Sequence, residues 1–152
     1  MDKIKTIAHL ADIHIRKLHR FVEYRDVFDR LYVKLREAKP DLIYIGGDIV
    51  HGKLDTPPEE IRLLADFFLA LADISPTLII PGNHDCNLNN ASREDVLSPV
   101  VDLVQQINPN LLYWKKSGVY ELGGCQFGFL SVFDITKDSK PNVANLPKAK
   151  DI

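Results

Sequence analysis

Three polar motifs, each placed at the end of a short apolar run, constrain this chain more than any other feature. The runs are Ile4 to Ala11, Leu42 to Ile45 and Thr77 to Ile80, and the motifs after them are Asp12-Ile-His14, Gly46-Gly-Asp48 and Pro81-Gly-Asn-His-Asp85. Apolar runs of this length are typical of buried strands. Ligands bind at the carboxyl ends of the strands in open α/β sheets. We therefore expect the three motifs to meet at one site.

The segments between these runs predict helices. From Phe21 to Ala38 apolar residues recur with a period of about 3.6, and Lys39-Pro40 ends the pattern. Thr56-Pro57-Pro58 starts a second helix, which Ser75-Pro76 ends. Ser92-Arg-Glu-Asp95 resembles a capping box that opens a third helix, interrupted or restarted at Ser98-Pro99 and continued from Val100 to Ile107. This alternation of strands and helices predicts a parallel sheet with right-handed crossovers.

The pattern changes after the third helix. Short strands are predicted at Leu111 to Trp114, Val119 to Leu122 and Cys125 to Phe133, and Gly123-Gly124 is a hairpin signal between the last two. These strands would leave the parallel layer and begin a second, partly antiparallel sheet. We expect an α/β fold in which residues 1–133 are the N-terminal part of a domain with an incomplete second sheet. Residues 134–152 would be a polar tail leading to an absent remainder.

Composition excludes several classes of function. The formal net charge of -2 excludes a strongly basic protein, so a polyanionic partner would be held by a local patch or by bound metal. No apolar stretch reaches the ~18 residues of a membrane span, and the N-terminus lacks a signal-peptide pattern. Cys86 and Cys125 lack C-x-x-C neighbours and are expected to be reduced structural thiols. We therefore expect a cytoplasmic protein without membrane contact.

The side chains of the three motifs suit metal binding. Asp12 and His14 are two residues apart, so an extended backbone would direct both at one point. Asp48 could bridge two cations, and Asn83 adds an amide oxygen. Mixed oxygen and nitrogen donors suit Mn, Fe or Zn better than Ca or Mg. Two ions about 3.5–4 Å apart would clamp a phosphate and convert the water between them to hydroxide. His84 would face away from its neighbour's ligand direction and act as an acid toward a leaving alkoxide.

In this order and context the motifs resemble the calcineurin-like metallophosphoesterase family, whose pattern is D-x-H, then G-D, then G-N-H-D or G-N-H-E. The resemblance implies a four-layer α-β-β-α sandwich with two divalent metal ions, Mn first and Fe, Zn or Mg as alternatives. It assigns Asp12 and His14 to the first metal, Asp48 to a bridging position and Asn83 to the second metal. It assigns His84 to the role of general acid.

One feature resembles the double-strand-break-repair nuclease branch of this family, the SbcD-like and phage recombination nucleases. After Asp48 the chain continues Ile49-Val50-His51-Gly52, where protein phosphatases have an acidic residue and an Arg-Gly pair. By this resemblance His51 would act on the DNA strand near the metals. The resemblance further implies a coiled-coil ATPase partner of the SbcC type and a possible homodimer.

A basic cluster after the first metal ligands also favours DNA as the partner. It comprises Arg16, Lys17, His19 and Arg20, just before the first predicted helix. Cations at that place oppose the helix dipole, so stability alone would not select them. A phosphate backbone lying over the metals would account for them. The alternative is a solvated polar loop.

The sequence leaves the site incomplete. The family pattern has three more histidines after Asn83, and this chain has none beyond His84. We therefore expect the 152-residue chain alone to be inactive and to belong to a longer exonuclease or endonuclease subunit of recombination and double-strand-break repair. The alternatives are a phosphodiesterase or phosphatase acting on a small molecule, and a metal-free binding module.

Four other residues receive structural interpretations. His9 is expected to be a core or hydrogen-bonded histidine. Tyr113 and Trp114 are expected to pack in the core, with a base-stacking platform as the alternative. Asp85 would orient His84 or cap the local turn.

Overall fold

The structure is a computed structural model that describes residues 3–16, 20–52, 56–90 and 93–134. Within these residues strands and helices alternate as the sequence predicts. The elements are β1 (Ile7–Leu10), α1 (Phe21–Ala38), β2 (Leu42–Ile45), α2 (Pro58–Ile74), β3 (Thr77–Ile79), α3 (Ser98–Ile107), β4 (Leu111–Tyr113), β5 (Gly118–Leu122) and β6 (Cys125–Phe129), followed by a 3-10 turn at Val132–Asp134.

The first two helices end and begin where their sequence signals place them. Lys39 is the C-cap of α1, in the left-handed conformation, and its amide donates to the carbonyl of Leu35. Pro58 occupies the first turn of α2, where a missing N–H costs nothing, and Glu59 and Glu60 complement the positive end of the helix dipole. The predicted bounds of α1 are confirmed, and α2 ends at Ile74, before the predicted Ser75-Pro76 stop.

The main sheet is parallel, with strand order β1-β2-β3-β4. Ile7 pairs with Leu42, Ile43 with Thr77, and Thr77 with Leu111. The parallel sheet confirms the predicted α/β class. The expectation that Leu111 to Trp114 leaves this layer is wrong, because β4 extends the parallel sheet beside β3.

The hairpin of β5 and β6 forms a separate two-stranded antiparallel sheet. Gly123 and Gly124 connect the strands with φ angles of 54° and 65°, which glycine adopts without the cost that a Cβ would bring. This hairpin was predicted, but β6 ends at Phe129 rather than Phe133, and a 3-10 turn replaces its predicted end.

Two apolar clusters lie on opposite faces of the parallel sheet. Ile43 and Ile45 of β2 belong to one apolar cluster with residues of all three helices, in which Phe28 of α1 stacks on Phe67 of α2 at 4.1 Å between ring centroids. The other face carries Leu42. The described residues therefore form three layers, with helices, parallel sheet and hairpin in that order.

The hairpin face tests two predictions made for single residues. Trp114 packs in this layer, stacked on Tyr120 at 4.2 Å and edge-on to Phe127, which confirms core packing. The expectation of a core position for His9 is wrong, because β1 is an edge strand and His9 is exposed on it, with its ring 4.9 Å from that of Tyr44.

Two further sequence expectations concern thiols and membranes. Cys86 and Cys125 are free thiols, as expected. Among the described residues, no helix combines the length and the apolar content needed to cross a membrane.

Candidate metal centre

The loops that follow β1 and β2 run side by side beyond the end of the sheet. The amide of Asp12 donates to the carbonyl of Gly47, the amide of His14 donates to that of Asp48, and Ile15 and Val50 form a parallel bridge. These hydrogen bonds continue the strand pairing past the last sheet residues. They place the Asp12-His14 motif directly beside Asp48.

The predicted cause of this convergence is wrong, although Asp12 and His14 do converge. The backbone of Asp12 and His14 is not extended, because their φ angles are 53° and 49°. Asp48 has a φ of 53°, also in the left-handed region. Asp and His are enriched among the few non-glycine residues that adopt this conformation, and such residues cluster at functional sites. The two side chains meet through two left-handed residues rather than through strand alternation.

The close approach of two backbone loops explains Gly47 in the second motif and Gly82 in the third. A Cβ on Gly82 would overlap the carboxylate and the amide nitrogen of Asp48, and a Cβ on Gly47 would lie 2.5 Å from the amide nitrogen of Gly82. Gly47 also has a φ of 88°. The loops after β2 and β3 can therefore touch only where both residues lack a side chain.

Asp85 holds these two loops together. Its Oδ1 accepts from the amides of Ile49 and Val50 at 2.9 and 3.0 Å, and its Oδ2 accepts from the amide of Gly82 at 2.8 Å. Asp85 is fully buried, and burial raises the pKa of its carboxyl to about 6 against the lowering effect of these hydrogen bonds. Of the two predicted roles, capping the local turn fits its contacts, and Asp85 also ties down the loop that carries Asp48.

Asp12, His14 and Asp48 form one cluster of possible metal ligands. His14 Nε2 lies 3.7 Å from Asp12 Oδ1 and 4.0 Å from Asp48 Oδ2. These separations are too long for hydrogen bonds. With bonds of about 2.0–2.2 Å from the ion to nitrogen and oxygen, two ligand atoms of one ion lie roughly 3–4 Å apart. The donor set and its spacing therefore fit a divalent ion. The assignment of Asp12 and His14 to a first metal and of Asp48 to a bridging position stays a prediction.

Asn83 and His84 lie in a turn, closed by a hydrogen bond from the amide of Asp85 to the carbonyl of Gly82. The expectation of extended backbone here is wrong, so strand alternation does not set the direction of His84. The amide of His84 donates to Asp48 Oδ1 at 2.8 Å, which keeps this turn against the cluster. Asn83 is exposed, and its assignment to a second metal stays a prediction.

His51 and His84 both lie beside His14. The ring centroids of His14 and His84 are 4.8 Å apart, and the rings of His51 and His84 are stacked at 5.5 Å. Desolvation, and then the charge of Arg16 and the two other imidazoles, lower the pKa of His51. The structure thus brings both predicted catalytic histidines to the metal-type cluster.

The basic cluster is only partly described. Arg16 is exposed, on the same side as His51. Arg20 forms an ion pair with Glu23 at 2.6 Å, so its charge is already compensated within the first turn of α1. Lys17 and His19 lie outside the described residues. Among the described members, Arg16 is the cation best placed for a phosphate.

One supporting residue was not anticipated from the sequence. The hydroxyl of Tyr24 donates to the carbonyl oxygen of His14 at 2.8 Å, which anchors the left-handed loop to α1. Its place on the apolar face of the helix indicated a core residue and gave no sign of this polar contact. Tyr24 therefore serves both the core and the site.

A parallel α/β sheet with an Asp-His-Asp cluster at its carboxyl edge defines the class of the metallophosphoesterases. The model of the calcineurin-like phosphoesterase family matches residues 5–149, and the chain belongs to this family. Membership confirms the predicted fold class.

The chain is also similar in sequence to two known proteins. It is 46% identical over 135 residues to an uncharacterized protein of Acanthamoeba polyphaga mimivirus, covering 87% of this chain and 10% of the viral protein. It is 39% identical over 88 residues to the glycerophosphodiester phosphodiesterase GpdQ of Enterobacter lignolyticus, covering 52% of this chain and 29% of that protein. The chain thus spans about a tenth of the first relative and less than a third of the second.

Proposed function

We propose that this chain carries the metal-binding part of a two-metal phosphodiesterase, with Mn²⁺ as the first candidate ion. The observation that supports the proposal is the convergence of Asp12, His14 and Asp48 at separations of 3.7 and 4.0 Å, too long for hydrogen bonds and suited to a shared ion. Bound divalent ions would supply Lewis-acid activation of the phosphate and a hydroxide at neutral pH.

The imidazoles beside the cluster are suited to handling protons and phosphate. His84 is anchored through its amide to Asp48, which leaves its ring beside the ligand cluster to give a proton to the leaving alkoxide. His51 would contact the phosphodiester beside His84. The histidines that the family pattern places later are absent from this sequence. We therefore propose that the chain binds metal but does not turn over substrate alone.

For the substrate we propose DNA. Two features support this choice: His51 occupies the position after the Asp48 motif that resembles the repair nucleases, and Arg16 lies exposed near it. A coiled-coil ATPase partner and a homodimer are further proposals that rest on the same resemblance. The second candidate substrate is a small phosphodiester, favoured by the 39% identity to a glycerophosphodiester phosphodiesterase.

Metal binding is the property to measure first. We expect calorimetric titration with Mn²⁺ to give binding by the wild-type chain and none by Asp48→Ala. The matched control is Asp102→Ala, which removes an exposed carboxylate on α3. If Asp48→Ala and Asp102→Ala bind Mn²⁺ as the wild type does, or if no chain binds it, the proposed metal site is wrong.

Ligand preference then separates the two substrates. We expect the Mn²⁺-loaded chain to bind labelled linear duplex DNA in an anisotropy titration, with Arg16→Gln weakening this binding and reducing its salt dependence. A glycerophosphodiester should not compete. Competition by the small diester, with no effect of Arg16→Gln, would favour the second candidate over DNA.

A further inference from the structure

Three of the five histidines of the chain meet at the candidate centre, although they come from three different loops. The ring centroids of His14 and His84 are 4.8 Å apart, those of His51 and His84 5.5 Å, and those of His14 and His51 5.7 Å. One nitrogen of each ring lies within 4.8 Å of the corresponding nitrogens of the other two. The three side chains therefore form a compact imidazole cluster, which shares His14 with the carboxylate-rich one.

The spacing of the rings matches what one metal ion would require. An ion bound tetrahedrally by imidazole nitrogens at about 2.0–2.1 Å places the ring centroids roughly 5 Å from one another and the nitrogens about 3.4 Å apart. The centroid distances already lie near this value. The nitrogens, which lie within 4.8 Å of one another, would have to approach to about 3.4 Å when an ion binds.

The histidines have ring nitrogens to offer. His14 Nε2 faces Asp12 and Asp48, while its Nδ1 is buried and has no hydrogen-bond partner among the described residues. His84 Nδ1 lies at 3.4 Å from the carbonyl oxygen of His51, a contact at the upper limit of a hydrogen bond. His51 is exposed and can reorient.

We propose that His14, His51 and His84 form an additional metal position, distinct from the one predicted for Asn83, that takes Zn²⁺ in preference to Mn²⁺. Three neutral imidazoles with an open fourth position are a typical zinc ligand set, whereas carboxylate-rich sets suit Mn²⁺. An imidazole that binds zinc through one nitrogen cannot take up the second proton that makes it an acid, so zinc at this position would block the acid role of His84. That consequence rests on the proposed function, whereas the binding itself does not.

The test is Zn²⁺ affinity of the full chain, measured in competition with a chromophoric chelator. We expect His51→Gln and His84→Gln to weaken Zn²⁺ binding at least about tenfold, the smaller end of the loss caused by removing an outer-shell partner of a metal site. His9→Gln is the matched control, since it removes an exposed imidazole outside the cluster. Asp12→Asn tests the carboxylate-rich cluster instead and should leave the zinc affinity unchanged.

Two results would overturn the proposal. One is a zinc affinity that His51→Gln and His84→Gln leave at the wild-type value. The other is a loss in Asp12→Asn as large as that in His51→Gln, because zinc would then occupy the carboxylate-rich cluster. X-ray absorption at the zinc edge gives an independent measure in the unmutated chain: we expect three imidazole ligands, and two or fewer would contradict the site.

Manganese titration of the same variants keeps this proposal separate from the proposed function. His51→Gln should bind Mn²⁺ as the wild type does, because His51 is outside the Asp12, His14 and Asp48 cluster. If Mn²⁺ fails to bind while the histidine variants still lose zinc, the phosphodiesterase proposal fails and the zinc site stands. If Mn²⁺ binds normally and the histidine variants leave the zinc affinity unaffected, the zinc site fails and the phosphodiesterase proposal stands.

Discussion

Asp85 illustrates how one buried carboxylate can support a site without belonging to its ligands. It accepts three backbone hydrogen bonds from Ile49, Val50 and Gly82, so its removal leaves three buried N–H groups without an acceptor. Each such group costs about 1–3 kcal/mol. We expect Asp85→Ala to lower the free energy of unfolding by about 3 kcal/mol or more, measured by urea denaturation. Asp102→Ala should change it by less than about 0.5 kcal/mol, and equal stability of the two variants would contradict this role.

Replacing Gly82 should affect Mn²⁺ binding more strongly than the stability of the fold. A Cβ at this position would overlap the carboxylate and amide of Asp48, so Gly82→Ala should abolish Mn²⁺ binding and cost about 1–3 kcal/mol through overpacking. Gly118→Ala is the control, because its Cβ would meet Tyr120 at an ordinary 3.4 Å. Calorimetry and denaturation of both variants check this, and normal Mn²⁺ affinity in Gly82→Ala would contradict the close approach.

At the scale of elements, α3 begins differently from the prediction. Residues 93–97 are not helical, and Asp95, expected inside the helix, instead caps it by accepting from the amides of Leu97 and Ser98. Its other partners are Tyr113 and Lys115, the latter at 2.7 Å. A local capping-box pattern cannot reveal partners that lie about 20 residues away, which is why the helix start was misplaced.

The lowered pKa of the Asp95 carboxyl makes the stability of the fold depend on pH. Burial alone would raise the pKa of Asp95, but hydrogen bonds from Lys115, Ser98 and Tyr113 outweigh burial and hold it below its ordinary value. A lowered folded-state pKa means stability that is present above about pH 4, the ordinary aspartate pKa, and is lost as the pH falls through the folded-state value.

We therefore expect Asp95→Asn to lower the free energy of unfolding by about 3 kcal/mol at pH 7. The difference between wild type and variant should shrink as the pH drops below about 4. Denaturant titrations of both chains across this range provide the measurement, with Asp102→Asn as the exposed control. If the stability difference between wild type and variant stays constant down to pH 3, the charge of Asp95 is not what stabilises its contacts at the start of α3.

The strands and helices were predictable to different degrees for physical reasons. The apolar period of α1 and the proline before β2 set local boundaries, and these hold in the structure. The sheet to which β4 belongs depends on pairing with β3, which no residue within Leu111–Tyr113 specifies. The convergence of Asp12, His14 and Asp48 was predictable because parallel strands end at one edge. Their left-handed backbone was not, since Asp and His only tolerate that conformation.

At the scale of the whole molecule, the candidate centre depends on every strand that supplies it. The loops after β1, β2 and β3 meet only in the folded chain, so an ion held there binds the folded state and not the unfolded one. Free Mn²⁺ at a hundred times its dissociation constant should then add about 2.7 kcal/mol to the free energy of unfolding. For a chain of this length that corresponds to a rise of roughly 5–10 °C in the melting temperature.

Calorimetric melting with and without Mn²⁺ measures this rise, and excess chelator should reverse it. Asp48→Ala should show no rise, because without its bridging carboxylate the chain keeps too few ligands to hold the ion. Gly118→Ala should show the wild-type rise, since it leaves the three loops intact. An equal rise in Asp48→Ala would mean that Mn²⁺ stabilises the chain from elsewhere on its surface, and the strand-end cluster would then not be the site to which folding and metal binding are linked.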